Sequence, residues 1–105
     1  MIKELKKYIE ENNLIGKAKE SFWIAFDNWK KSDSIRYSKK FHGINEENLE
    51  LYIHCVGIRA AEWPTYDYNH VTISIRILYE KQELGTYVVW FSLSDESLDD
   101  DFLEI

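Results

Sequence analysis

The stretch His70-Val71-Thr72-Ile73-Ser74-Ile75-Arg76-Ile77-Leu78-Tyr79-Glu80 decides the fold. Val71, Ile73, Ile75, Ile77 and Tyr79 form one apolar face, and His70, Thr72, Ser74, Arg76 and Glu80 form a mostly polar one. Successive side chains of a strand point to opposite faces, so this period of two predicts a half-buried β-strand. Both neighbouring stretches repeat the pattern. In 49–58, Leu49, Leu51, Ile53 and Cys55 point one way, and Glu50, Tyr52, His54, Val56 and Ile58 the other. In 84–93, Tyr87, Val89, Phe91 and Leu93 oppose Thr86, Val88, Trp90 and Ser92. Lys81-Gln82-Glu83 and Asp95-Glu96-Ser97 read as turns, and 102–105 as a short terminal strand. Strands in succession with short connections make an antiparallel meander.

The part before these strands has a helical period. Ile2, Leu5 and Ile9 line one side of a helix over 2–12, with Lys3, Glu4, Lys7, Glu10 and Glu11 outside. Ala18, Phe22, Ala25, Phe26 and Trp29 form a wide apolar stripe over a second helix, 17–31. Residues 35–41 alternate as Ile35, Tyr37, Lys39 and Phe41 against Arg36, Ser38 and Lys40. That pattern fits an edge strand guarded by lysines, with a short third helix as the alternative. His42-Gly43 marks a turn. The expected fold is α+β, two N-terminal helices packed on one face of a three- to five-stranded antiparallel meander. At 105 residues the chain has the size of one domain, 1–105. The other sheet face, with Tyr52, His54, Thr72, Ser74, Arg76, Thr86 and Trp90, is left to solvent or a partner.

Charge divides the chain. Residues 1–42 hold ten Lys/Arg against six Asp/Glu; residues 43–105 hold three against thirteen, and the net charge is −6. Binding nucleic acid requires lysines and arginines gathered on one face, so the acidic part excludes that role. The basic run Lys30, Lys31, Arg36, Lys39 and Lys40 reads as a solvated helix end and strand edge. An acidic surface also disfavours anionic membranes, and no apolar run reaches the length of a membrane span. One cysteine and an amphipathic start without a signal-peptide core point to a reduced, cytoplasmic protein.

Candidate functional residues fall in three places. The connection 59–69 exceeds what a hairpin needs and carries Trp63, Tyr66 and Tyr68, aromatic types that dominate interfaces. Trp90 adds a fourth anchor on the open face. Asp99, Asp100 and Asp101, beside Asp95 and Glu96, form an acidic cluster without EF-hand spacing. It suits a basic protein partner reached by charge steering. Cys55 is expected inward and inert, and His42, His54 and His70 exposed. No nucleophile motif, metal-ligand spacing or cofactor loop is present, so no catalytic residue, metal or cofactor is assigned.

In size, acidity and aromatic content the chain resembles the bacterial toxin-neutralising (immunity) proteins. The resemblance implies a non-catalytic inhibitor of a basic protein partner such as a toxin, with Trp63, Tyr66, Tyr68 and Trp90 as anchors. Two other readings stay open. One is a small-ligand-binding or hydrolytic domain with a pocket between helices and sheet, and His54, His70 and Glu62 near its mouth. The other is a homodimer through the open sheet face, where the first reading allows a monomer.

Overall fold

Val71, Ile73, Ile75 and Ile77 are wholly buried, on the side that alternation assigns them. In this computed structural model, which describes residues 2–61 and 68–105, they form the middle of a four-stranded antiparallel sheet. The strands are β1 (Glu50–Ala61), β2 (Tyr68–Tyr79), β3 (Gln82–Ser92) and β4 (Leu98–Glu104), in the order β1-β2-β3-β4. Three helices precede them: α1 (Ile2–Glu11), α2 (Leu14–Ser32) and α3 (Ser34–Lys40). The fold is α+β, with the helices packed against the sheet.

The second helix begins earlier than its apolar stripe suggests, because Leu14 is fully buried and belongs to it. Asn13 separates α1 from α2 by taking left-handed backbone (φ 51°), which asparagine tolerates better than most residues. Phe22 and Phe26 stack at 5.6 Å and project from α2 into the core; Phe22 meets Tyr87 of β3 edge-on at 5.7 Å. Residues 35–41 are not an edge strand. Tyr37 and Phe41 are one helical turn apart as well as two strand steps apart, and the helix lets their rings stack at 5.2 Å. Phe26 then packs against Phe41 at 5.3 Å, and Trp29 against Tyr37 at 5.9 Å. Lys30 closes this corner, donating to Glu46 at 2.9 Å, and the ion pair raises the lysine's pKa.

The turn between β2 and β3 is tighter than 81–83. Glu80 and Lys81 both have positive φ (49° and 68°), as a two-residue hairpin with the twist of its strands requires. Gly85 is needed where β3 passes the chain's last residues. A Cβ there would collide with the Glu104 carbonyl oxygen and Ile105. Arg36 of α3 holds the same end by donating to the Ile105 carbonyl at 2.7 Å.

The last strand starts at Leu98, ahead of 102–105, so the three aspartates lie within β4. Its alternation is hidden because most of it is exposed and Asp99 is an extra residue between Leu98 and Asp100. Among the described residues no helix is long and apolar enough to cross a membrane.

Candidate functional site

Among the described residues the helices lie on one face of the sheet and no helix lies on the other. Cross-strand pairing identifies what lies there. Asp100, Trp90, Thr72 and Gly57 form one row across β4 to β1, and Phe102, Val88, Ser74 and Cys55 form the next. Glu104, Thr86, Arg76 and Tyr52 make a third. Phe102 and Tyr52 are each 55% exposed, large rings left in water. Trp90 is half-buried, with the Arg59 guanidinium 5.7 Å from its ring centroid. At that distance the guanidinium and the indole make a cation–π contact, which places a positive charge beside a half-buried aromatic ring.

The row beyond holds a buried histidine. His70 is only 5% exposed, which corrects the expectation of an exposed ring. Its Nε2 lies 2.7 Å from Asp99 Oδ2. The extra residue in β4 turns Asp99 to this face, and the carboxylate reaches past β3 to the imidazole. His54 is exposed, with its Nε2 3.4 Å from Arg76. Both histidines thus sit on the face away from the helices, not at the mouth of a helix–sheet pocket.

Cys55 is the second correction, because its thiol is exposed. Ile53 pairs with Ile75, whereas Cys55 pairs with Ser74, so His54 is an extra, bulged residue. A bulge shifts the alternation by one, which sends Cys55 outward and brings Val56 and Ile58 to the helix side opposite Ile73 and Val71. There α1 does not fully close on β1. An open apolar groove of about 310 Å³ runs past Leu5, Ile9, Ile15 and Val56. A second, of about 450 Å³, runs past Leu5, Tyr8, Ile58 and Leu93. Tyr8 anchors α1 at that end by donating to Leu93 O at 3.3 Å and Glu96 at 3.4 Å. Burial, then the Glu96 charge, raises its pKa.

The three aspartates point to different neighbours. Asp99 holds His70 on the open face. Asp100 stands on the open face opposite Trp90 and accepts from the Asp101 amide at 2.8 Å. Asp101 lies on the helix side, paired with Val89, and accepts the Tyr87 hydroxyl at 2.7 Å. Burial raises the Tyr87 pKa, with the Asp101 carboxylate adding to it. Asp95 is held below the usual carboxylate range by the hydroxyl and amide of Ser97. Trp63 and Tyr66 lie outside the described residues. The connection is shorter than 59–69, because β1 runs to Ala61 and β2 opens at Tyr68, which pairs with Ala61 and so belongs to a strand and not to the loop.

Sequence reasoning assigned Trp90 to this face but missed Arg59, Phe102 and the His70–Asp99 pair. Phe102 was discoverable in principle, two residues from Asp100 and Glu104 on one strand face. Among the described residues no cluster of His, Cys, Asp or Glu could hold a metal ion. No family model, curated protein or solved structure matches the chain.

Proposed function

We propose that this domain is a non-catalytic protein-binding module that docks a basic partner through the uncovered sheet face. Its most concrete form is an immunity-type inhibitor of a toxin, acting in the cytoplasm. The observation that carries the reading is the Arg59–Trp90 platform, flanked by Asp100 and exposed Phe102 on a face no helix covers. Tryptophan, tyrosine and arginine are the side chains that most often dominate interface energy. An acidic edge strand beside them attracts a basic surface during approach. The excess of thirteen acids over three bases in residues 43–105 has the same effect at longer range. Trp63, Tyr66 and Tyr68 extend the candidate anchors into and beyond the β1–β2 connection.

The test is a calorimetric titration against the product of the neighbouring gene, where an inhibitor's target is expected. Trp90→Ala should weaken binding by about 2 kcal/mol or more with little change in melting temperature. Asp100→Asn should slow association at low salt and matter little at high salt. Unchanged affinity in the Trp90 variant would refute the assignment.

A further inference from the structure

The two edges of the sheet are built differently. β4 carries Asp99, Asp100, Asp101 and Glu104, charges of the kind that keep an edge from pairing with other chains. β1 is the other edge, twelve residues long, and has a charged side chain only at Glu50 and Arg59. Between them the strand is apolar or weakly polar, with Val56 39% and Ile58 51% exposed on the helix side. The α1 groove runs along the same margin, with Ile2 83% exposed beside it. We propose that β1 pairs antiparallel with β1 of a second copy of this chain, joining two sheets into one.

The bulge fixes the register. Paired residues in adjacent strands must share a face, or apolar side chains meet water. Before the bulge the even-numbered residues of β1 face the open side; after it, the odd-numbered ones do. An antiparallel pairing stays in phase from Glu50 to Arg59 only if the two-fold axis falls on the bulge, between His54 and Cys55. That register places Leu51 against Ile58 and Ile53 against Val56 on the helix side. On the open side it sets Glu50 of each copy opposite Arg59 of the other, so the strand's only two charges form two complementary pairs. A bulge usually spoils edge pairing. Here each copy's bulge faces the other's, and the ladder is regular on both sides of it. The Trp90 and Phe102 rings and both β4 edges remain free for a partner, and Arg59 is shared between the Trp90 platform and Glu50 of the second copy.

Sedimentation equilibrium of the intact chain over a wide concentration range should show a reversible monomer–dimer equilibrium. Val56→Lys, which puts a charge inside the paired edge, should abolish it. Glu50→Lys and Arg59→Glu should each weaken the dimer by at least about tenfold, and the double variant should restore it. Thermal melts distinguish loss of pairing from loss of fold, and the two charge variants lie at exposed positions. Cys55, the only cysteine, provides a second measurement. The register brings the two thiols close across the axis, so a short bis-maleimide should link wild-type dimers and not Cys55→Ser. A chain that stays monomeric at every concentration would overturn the proposal. So would a dimer insensitive to the charge variants, or one that does not cross-link through Cys55.

Discussion

Replacing Ile75 with alanine tests whether the helices and sheet share the core described. Ile75 has no solvent exposure, sits midway along β2 and is flanked by Ile53 on β1 and Tyr87 on β3. The substitution removes three carbon groups, a transfer term of about 2.4 kcal/mol at roughly 0.8 kcal/mol each. Ile53 and Tyr87 on the two neighbouring strands restrict collapse within the shared core, so a cavity term of about 1–2 kcal/mol adds to it. The expected loss is about 3.4–4.4 kcal/mol from these two contributions, a large fraction of the roughly 5–15 kcal/mol that holds a domain of this size. The assay is urea unfolding followed by tryptophan fluorescence and far-ultraviolet circular dichroism, with the slope checked for constancy. Ser74→Ala, one residue away on the open face, is the control and should change stability by less than about 0.5 kcal/mol. A loss below about 1 kcal/mol for Ile75→Ala would mean that no helix packs on this row.

Three further outcomes follow from particular contacts. Cys55 should react with a thiol reagent in the native state nearly as fast as after unfolding, since the bulge leaves it exposed; strong native protection would put it back in the core. Gly85→Ala should destabilise by about 1–3 kcal/mol, read by thermal melt, because its Cβ meets the Glu104 carbonyl and Ile105; a neutral result would contradict that close approach. Tyr87 has a folded-state pKa raised by burial, so its contribution is fully present below about pH 10 and is lost as pH rises above it. Tyr87→Phe should cost about 1–2 kcal/mol near neutrality and flatten the alkaline fall in stability; an unchanged alkaline limb would refute the buried phenol.

Much of the fold was legible because β2 and β3 are buried on one side and wet on the other, which leaves alternation in plain view. β1 was legible as a strand but misread in its second half. Val56-Gly57-Ile58 is apolar enough to fit either phase, so nothing in the local pattern reports the extra residue at His54. β4 was hidden for a related reason: an exposed acidic edge has little apolar alternation, and Asp99 breaks what there is. Residues 35–41 satisfied two periods at once, and packing of Tyr37 and Phe41 on Phe26 and Trp29 selected the helix. At the candidate site Trp90 followed from alternation. The Asp99–His70 contact joins residues 29 apart across an intervening strand, and only the sheet register brings them together.

Amide chemical-shift mapping of the labelled domain, titrated with the neighbouring gene's product, reports directly whether a partner docks on the open sheet face. The perturbed amides should concentrate on β1, β3 and β4 around Arg59, Trp90, Asp100 and Phe102, with the Trp90 indole N–H among the largest shifts. Perturbations confined to α1, α2 and the α1–β1 groove, with the Trp90 indole unmoved, would contradict it.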